Sequence, residues 1–349
     1  MPKRVTIRDV AKQAGVSPAT VSMVLNNRPE TISEATRQAV QQAAQELNYR
    51  PNQLARSLVT KKTNTIALII PDNTNLFFAA VSNAIEDAAS ALKYSVVVAN
   101  TKNNPDMNLH YLRLFADRMT DGIIVAQSEF ADPRQTEECT RLLRSLHVPI
   151  VLVDRVFKDA ALNYVGLDQF EGGYIATRHL LDLGHRQIGC ATGPLTFTSL
   201  KERLEGYRSA LDEAGIAFDP SLVYEGELQL DTGIRSLPYL LGKNVSAIFA
   251  FNDMIAYGIY KEIRNYDLRI PNDLSIIGFD DIIFSDIIQP PLSTVAQPID
   301  AIADAAVSRL VELIQNPNSS RGGPQILKPL LKVKGSTRSP QQTRSGNSQ

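Results

Sequence analysis

The chain has no tryptophan, and its only cysteines are Cys139 and Cys190. Neither stands in a CxxC pair or beside a histidine, which excludes a disulfide framework and a cysteine metal site and predicts two reduced core thiols. The histidines, His110, His147, His179 and His185, are equally scattered, so no metal and no cofactor are expected. No apolar run is long enough to cross a bilayer. The basic N-terminus leads into a helix with polar residues where a secretory leader has its apolar core, which predicts a cytoplasmic protein. No GxGxxG or GxxxxGK(S/T) follows the first strand-like run, and no Ser/His/Asp grouping can be placed in a cleft, so no catalytic residue is expected.

What is present is an ordinary soluble composition, 44% hydrophobic and 21% charged over 349 residues, enough for two or three domains. Charge is unevenly placed. Through Lys62 ten basic residues face four acidic ones, a net of +6, which leaves −7 for the remainder of a chain whose net charge is −1. A basic head on an acidic body suits a module that meets phosphate at one end.

The head has a legible pattern. Ile7, Val10, Ala11 and Ala14 follow helical spacing after Thr6 as N-cap, Gly15 supplies a turn, and Ser17 caps a second helix that opens on Pro18. Val21, Val24 and Leu25 make the inward stripe of that helix, leaving Pro18, Ala19, Thr20, Ser22 and Met23 outward. An ordinary helical hairpin fits this pattern, and so does a helix-turn-helix whose second helix enters a major groove. Ser33 can cap a third helix, with Thr36, Val40, Ala43, Ala44 and Leu47 closing the core. Pro51 breaks the pattern, and Asn52 can cap a short run over 53–58.

From residue 65 onward, strand-like runs alternate with helical ones. The strands read at 65–71, 95–100, 121–126, 149–154, 186–193, 245–251 and 274–280, with amphipathic stretches at 77–93, 171–183, 200–214 and 254–264 among those between them. Continuous apolar strands separated by helices predict parallel sheets covered on both faces, and their number predicts two sheets with a crevice between. Ligands of such sheets bind beyond the carboxyl ends of the strands. Asp72, Gln127, Asp154, Asn252 with Asp253, and Asp280 with Asp281 follow the strands, and Phe77 and Phe78 open the helix after the first. Carboxylates and amides accept from hydroxyls, and a phenyl face packs on a ring. Asp72, Asp154 and Asp280 also read as helix caps, and either phenylalanine as core. Asp253 and Asp281 rank lower, one of each pair being expected at a helix N-terminus.

DVAKQAGVSPATVSMVLN, followed by YRPNQLARSL, resembles the lactose/galactose repressor family of bacterial transcription regulators, its ribose-repressor branch in particular, and the resemblance runs to about residue 337. It implies an α/β chain: an N-terminal all-α helix-turn-helix domain over 1–50, a hinge helix and linker over 51–63, and a periplasmic-binding-protein-like core over 64–338. That core would comprise two doubly wound parallel-sheet subdomains, about 64–166 plus 298–328 and about 167–297 plus 329–338, with a disordered tail over 339–349. The implied partner is double-stranded operator DNA, met by Thr6, Ser17, Pro18, Ala19, Thr20, Ser22, Met23, Asn26 and Tyr49. Asn52, Ala55 and Arg56 would flank Leu58 as a minor-groove wedge. Many members carry arginine where this chain has Met23, and methionine cannot make the bidentate bond to guanine.

The tail lacks the leucine heptad of tetrameric members, which predicts a homodimer on a pseudo-palindromic operator. Arg203 matches the arginine that grips the effector in the family, and Asp154, Asn252 and Asp280 match too. The implied function is repression of a sugar-utilisation operon under control of a small-molecule effector, a sugar such as ribose. A purine effector is the alternative, since Phe77 and Phe78 are shared with the purine repressor. A sugar-binding transport component would share the bilobal fold but need a secretory leader and have no use for residues 6–58.

Overall fold

In the computed structural model, which describes residues 5–26, 32–49, 62–117, 120–128, 130, 132–154, 162–316 and 323–340, the chain divides into two units, 1–63 and 64–349. The first unit is built on capped helices. Thr6 N and Oγ1 donate to the Asp9 carboxylate at 2.9 and 2.7 Å, fixing the start of α1 (Ile7–Ala14). Gly15 ends it at φ 65°, a left-handed conformation that glycine adopts without penalty. Ser17 Oγ accepts from Thr20 N at 3.1 Å to open α2 (Pro18–Leu25), and Ser33 Oγ accepts from Thr36 N at 3.2 Å to open α3 (Glu34–Glu46). Val10, Ala11, Val21, Val24, Val40, Ala43 and Ala44 form the shared core, with Leu47 and Tyr49 packed against it.

The second unit contains two six-stranded sheets. One joins β1 (Thr65–Ile70), β2 (Ser95–Asn100), β3 (Gly122–Val125), β4 (Ile150–Val153), β5 (Tyr164–Leu167) and β11 (Gln325–Leu327) in the order β11-β5-β4-β3-β1-β2, all parallel. The other joins β6 (Ile188–Thr192), β7 (Val223–Glu225), β8 (Ala247–Ala250), β9 (Ser275–Asp280), β10 (Ser293–Ala296) and β12 (Leu330–Lys332) in the order β12-β10-β9-β8-β6-β7. Only its edge strand β12 runs antiparallel. Helices cover both faces of each sheet, as continuous apolar strands require.

Strand alternation assigns the faces. Ile66, Leu68 and Ile70 pack under α4 (Leu76–Ala91) and α12 (Ile299–Gln315), while Ala67 and Ile69 pack under α5 (Pro105–Asp117) and α6 (Pro133–Ser145). In the second lobe Phe249, Ile277 and Phe279 meet α7 (Gln169–Asp182) and α8 (Thr198–Glu213). Ile248, Ala250 and Ile276 meet α9 (Leu230–Leu241) and α10 (Asp253–Glu262). The chain changes lobes three times: from β5 through Asp168 into α7, from β10 through Gln297 and Pro298 into α12, and from β11 through Lys328 and Pro329 into β12. Both cysteines are buried free thiols, raised by burial, that of Cys139 to about 12, so both are unreactive at neutral pH.

Two helix pairs of the second lobe approach so closely that only glycine fits between them. A Cβ on Gly173 would run into the carbonyl of Arg203 and one on Gly206 into that of Phe170, which locks α7 to α8. Gly233 and Gly258 lock α9 to α10 in the same way, against Ile255 O and Leu230 O. Beyond β12 the chain lies across this lobe: Ser336 Oγ donates to Ile276 O at 2.6 Å, and His179 Nε2 lies 2.9 Å from Thr337 Oγ1. His185 Nε2 lies 2.9 Å from Arg338 O, which can only accept, so the neutral ring carries its proton there and Nδ1 accepts from Ser246 Oγ at 2.8 Å. Burial lowers the pKa of His185, and nearby His179, itself lowered by burial, adds to the effect, against the pull of the Arg338 carbonyl.

Two outcomes are expected. Gly206→Ala and Gly258→Ala each destabilise the core by about 1–3 kcal/mol, because the obstructing atoms are backbone; this outweighs the gain in helix propensity, and Tm in a thermal melt falls by roughly 2–12 °C. A histidine with a depressed folded pKa contributes stability that is fully present above its ordinary 6.5 and lost as pH falls towards the folded value. His185→Ala therefore lowers the denaturant midpoint more at about pH 7.5 than at about pH 5.

Candidate nucleic-acid interface and effector pocket

The outward side of α2 is small and uncharged. Ser17, Pro18 and Ala19 are exposed at its start, Thr20, Ser22 and Met23 are half-buried along it, and Asn26 is exposed at its end. Several of these groups also hold the helix: Ser17 Oγ lies 2.9 Å from Thr20 Oγ1, and Asn26 Nδ2 donates to Ser22 O at 2.8 Å. Arg8 and Lys12 on α1 are exposed cations of the same unit. A narrow helix with hydroxyl and methyl groups outward fits a groove floor, and flanking cations fit phosphate. Asn52, Ala55, Arg56 and Leu58 lie outside the described residues, as do 341–349 of the expected tail.

In the second unit a pocket of about 360 Å3, part of it open to solvent, lies beyond the carboxyl ends of strands of both sheets. The first lobe contributes Asn75, Phe77 and Phe78 after β1 and Asp154 after β4; the second contributes Ser199, Leu200 and Arg203 from α8, with Leu228, Phe251, Asn252 and Asp280. Gln297 of the second crossover completes the wall. Asn75 Oδ1 accepts from Phe77 N at 3.0 Å and caps α4, which delivers the two phenyl rings edge to face, 5.1 Å apart. Asn252 caps α10 through Ile255 N at 2.9 Å, and its Nδ2 donates to Leu228 O at 3.2 Å. Asp154 and Asp280 both have left-handed backbones, φ 58° and 112°. Such strain in non-glycine residues costs on the order of 1–3 kcal/mol and concentrates at functional sites.

Arg203 dominates the electrostatics. It is 4% exposed, its guanidinium carbon stands 3.3 Å from the centre of the Phe279 ring, and its fork donates to Phe251 O and Gln169 Oε1. Burial pulls its pKa down to about 10 against the support of Asp280, Asp154 and Asp253, so it stays a cation at neutral pH. Asp280 is driven well up by burial and by Asp253, with Arg203 and a 2.8 Å bond from Gln297 Nε2 opposing. Asp253 is fully buried and raised to about 6 by burial; its oxygens accept from Ile282 N at 3.0 Å, Ser285 Oγ at 2.6 Å and Thr294 Oγ1 at 2.7 Å. It is a tie between α10, β10, the turn after β9 and α11 (Phe284–Ile287), not a pocket residue. Asp281 likewise pairs with Lys332 and Lys334, each at 2.7 Å.

Of the residues singled out in the sequence, Phe77, Phe78, Asp154, Arg203, Asn252 and Asp280 meet at this pocket, and Asp72 and Gln127 do not line it. Asp72 Oδ1 accepts from Thr74 N and Oγ1 at 2.9 and 2.8 Å, closing a turn that passes the capping position on to Asn75. Gln127 continues the alternation of Ile123 and Val125, which face α5 and α6, so its Oε1 accepts from Asn108 Nδ2 at 2.8 Å on the far side of the sheet. The pocket also holds residues that the sequence pattern did not single out: Asn75, Ser199, Leu200, Leu228, Phe251 and Gln297. Gln297 had a signal, as the residue directly after the short strand β10, and Phe251 stands in the same position after β8.

Comparison with known proteins accounts for both units. Residues 6–52 match the model for bacterial regulatory proteins of the lacI family, and residues 177–337 match that for a periplasmic binding protein-like domain. The chain is 35% identical to the HTH-type transcriptional repressor PurR of Aliivibrio salmonicida, with 90% of this chain and 94% of that one covered. It is 38% identical to the HTH-type transcriptional regulator DegA of Bacillus subtilis, with 85% and 87% covered. Among solved structures it is similar to the lac repressor dimer bound to operator and the anti-inducer ONPF, at 29% identity and a TM-score of 0.85, covering 96% of this chain and 100% of that one. It is also similar to a LacI family transcriptional regulator from Enterococcus faecium with bound ribose, at 30% identity and a TM-score of 0.70, covering 79% and 99%. A groove-sized helix on a capped three-helix head, two parallel-dominated sheets around a charged pocket and these full-length likenesses agree: the chain belongs to the lacI family of bacterial DNA-binding transcriptional regulators.

Proposed function

We propose that the protein is a cytoplasmic repressor of a sugar-utilisation operon that binds its operator as a homodimer, on the nucleoid, and takes a neutral monosaccharide, a pentose such as ribose, as effector. The observation that carries the effector class is the wall of the pocket. Arg203, Asp154, Asp280, Asn252 and Gln297 supply both donors and acceptors, and Phe77 and Phe78 offer an apolar face, the set that ring hydroxyls and a sugar's C–H face require. The ribose-bound relative from Enterococcus faecium supports the same class. The protein acts by binding, without catalysis.

A purine is the second reading, favoured by the Phe77–Phe78 pair and by the 35% identity to PurR of Aliivibrio salmonicida. The two rings stand at 67° to each other, so they present one face and no parallel slot for a flat base. In either reading the effector alters the angle between the lobes and thereby the spacing of the two hinge segments, where Asn52, Ala55 and Arg56 flank the Leu58 wedge. Operator and effector then change each other's affinity by the same factor. Equal effector affinity with and without operator would remove the allosteric part of the proposal.

Two measurements test it. D-ribose at about a hundred times its Kd adds roughly 2.7 kcal/mol of stability and raises Tm by several degrees in a dye-based melt; Arg203→Ala abolishes the shift, and guanine and hypoxanthine give none. A shift with the purines alone installs the second reading. In duplex selection from a random pool, Met23→Arg moves base preference at one position of each half-site towards guanine, a discrimination of about 1–3 kcal/mol; an unchanged selected site would take α2 off the base edges.

A further inference from the structure

Two glutamines stand where the chain changes lobes. Gln169 is the first residue of α7, directly after the Asp168 crossing, and Gln297 lies between β10 and α12. They are 3% and 7% exposed. Each bonds an ionisable group of the pocket: Gln169 Oε1 accepts from Arg203 Nη2, and Gln297 Nε2 donates to Asp280 Oδ1 at 2.8 Å. The other end of each amide, Gln169 Nε2 and Gln297 Oε1, has no hydrogen-bond partner among the described residues, and neither has Arg203 Nε. Glutamines buried for structure alone are normally satisfied at both ends, because an orphaned buried polar atom is destabilising. Of the four such atoms among the described residues, three lie on the two residue pairs that link pocket to crossover, and the fourth, Gln127 Nε2, lies on the far side of the first sheet. Asp168 N also donates to Leu327 O at 2.9 Å, which ties the first crossover to the third.

We propose that Gln169 and Gln297 are positioning residues that couple occupancy of the pocket to the crossover segments: a ligand hydroxyl engaging Arg203 or Asp280 redistributes the glutamine bonds at both crossings and so biases the angle between the lobes. This rests on the effector-pocket reading above. It assigns the coupling to two named side chains on two of the three crossings. Arg203 and Asp280 grip, and the glutamines report.

Hydrogen exchange of the full chain, read by mass spectrometry, tests the coupling in two arms. The first needs no ligand. Arg203→Met speeds exchange of segments 165–170 and 325–329 by at least about fivefold in the wild-type background and by less than about twofold in Gln169→Met, a non-additivity that independent structural roles would not give. Gln169→Glu, which keeps the acceptor for Arg203, restores the wild-type response. Effects that simply multiply in the double variant overturn the proposal. In the second arm, D-ribose at a concentration that saturates each protein slows exchange of 165–170 and 295–299 by about tenfold in the wild type; Gln169→Met and Gln297→Met lose that protection, and in Gln169→Met, whose side chain does not line the pocket, ribose Kd changes less than about threefold. Protection retained in both variants, or affinity lost together with protection in Gln169→Met, also overturns it. Ser236→Ala, which removes a hydroxyl that donates to Gly233 O within α9, is the control and leaves protection intact. Should ribose fail to bind the wild type, the effector reading falls and the first arm alone decides the coupling.

Discussion

A guanidinium buried in the crevice sets terms that the rest of the second unit must meet. Arg203 keeps its charge at neutral pH although almost no water reaches it, and an unpaired buried charge is among the most destabilising things a fold can hold. Its compensation is drawn from separate parts of the chain: the Phe279 face, the Phe251 carbonyl, Gln169 and three carboxylates. One of those carboxylates, Asp154, belongs to the first lobe. The lobes are thus held in relation by a charge as well as by the chain that crosses between them.

The aspartates around Arg203 have divided roles that their adjacency in sequence conceals. Asn252 and Asp253 are neighbours, yet the amide caps α10 at the pocket wall while the carboxylate is sealed beneath it, accepting from three groups of other segments. Asp280 and Asp281 divide in the same way, one buried at the pocket and one neutralised by Lys332 at the end of β12 and Lys334 just beyond it. In both pairs, backbone direction at a strand end decides which side chain meets the crevice.

Long-range architecture was legible because strong local signals coincide with buried elements. Thr6, Ser17 and Ser33 each precede an apolar stripe and each caps a helix, and the long strands of both sheets are continuous apolar runs. The sequence concealed the short edges and the charged coverings. β7, β11 and β12 have three residues each, too few for any periodicity, and β10 is Ser-Thr-Val-Ala, whose hydroxyls are buried against Asp253 and the C-terminal segment. α6 covers its sheet with a largely polar sequence, and α9 has Pro238 within it. At the pocket, strand ends named the right neighbourhood and sometimes the wrong side: Gln127 lies one period-two step past Val125 and inherits its face, and the Asp72 turn shifts the cap by three residues.

The strand order has a consequence for how the molecule is made. The face of the first sheet under α4 is completed by α12, and its edge by β11, both of which follow the whole of the second lobe's parallel array in the sequence. On a translating ribosome the three-helix head emerges first and can close its own core at once, whereas the first lobe must keep Ile66, Leu68 and their neighbours without a cover until nearly the entire polypeptide has been synthesised. Contacts of such high sequence separation slow folding and prolong exposure of apolar surface. The head of a nascent chain is therefore complete long before the sheets behind it, and the first lobe's apolar face stays uncovered longest.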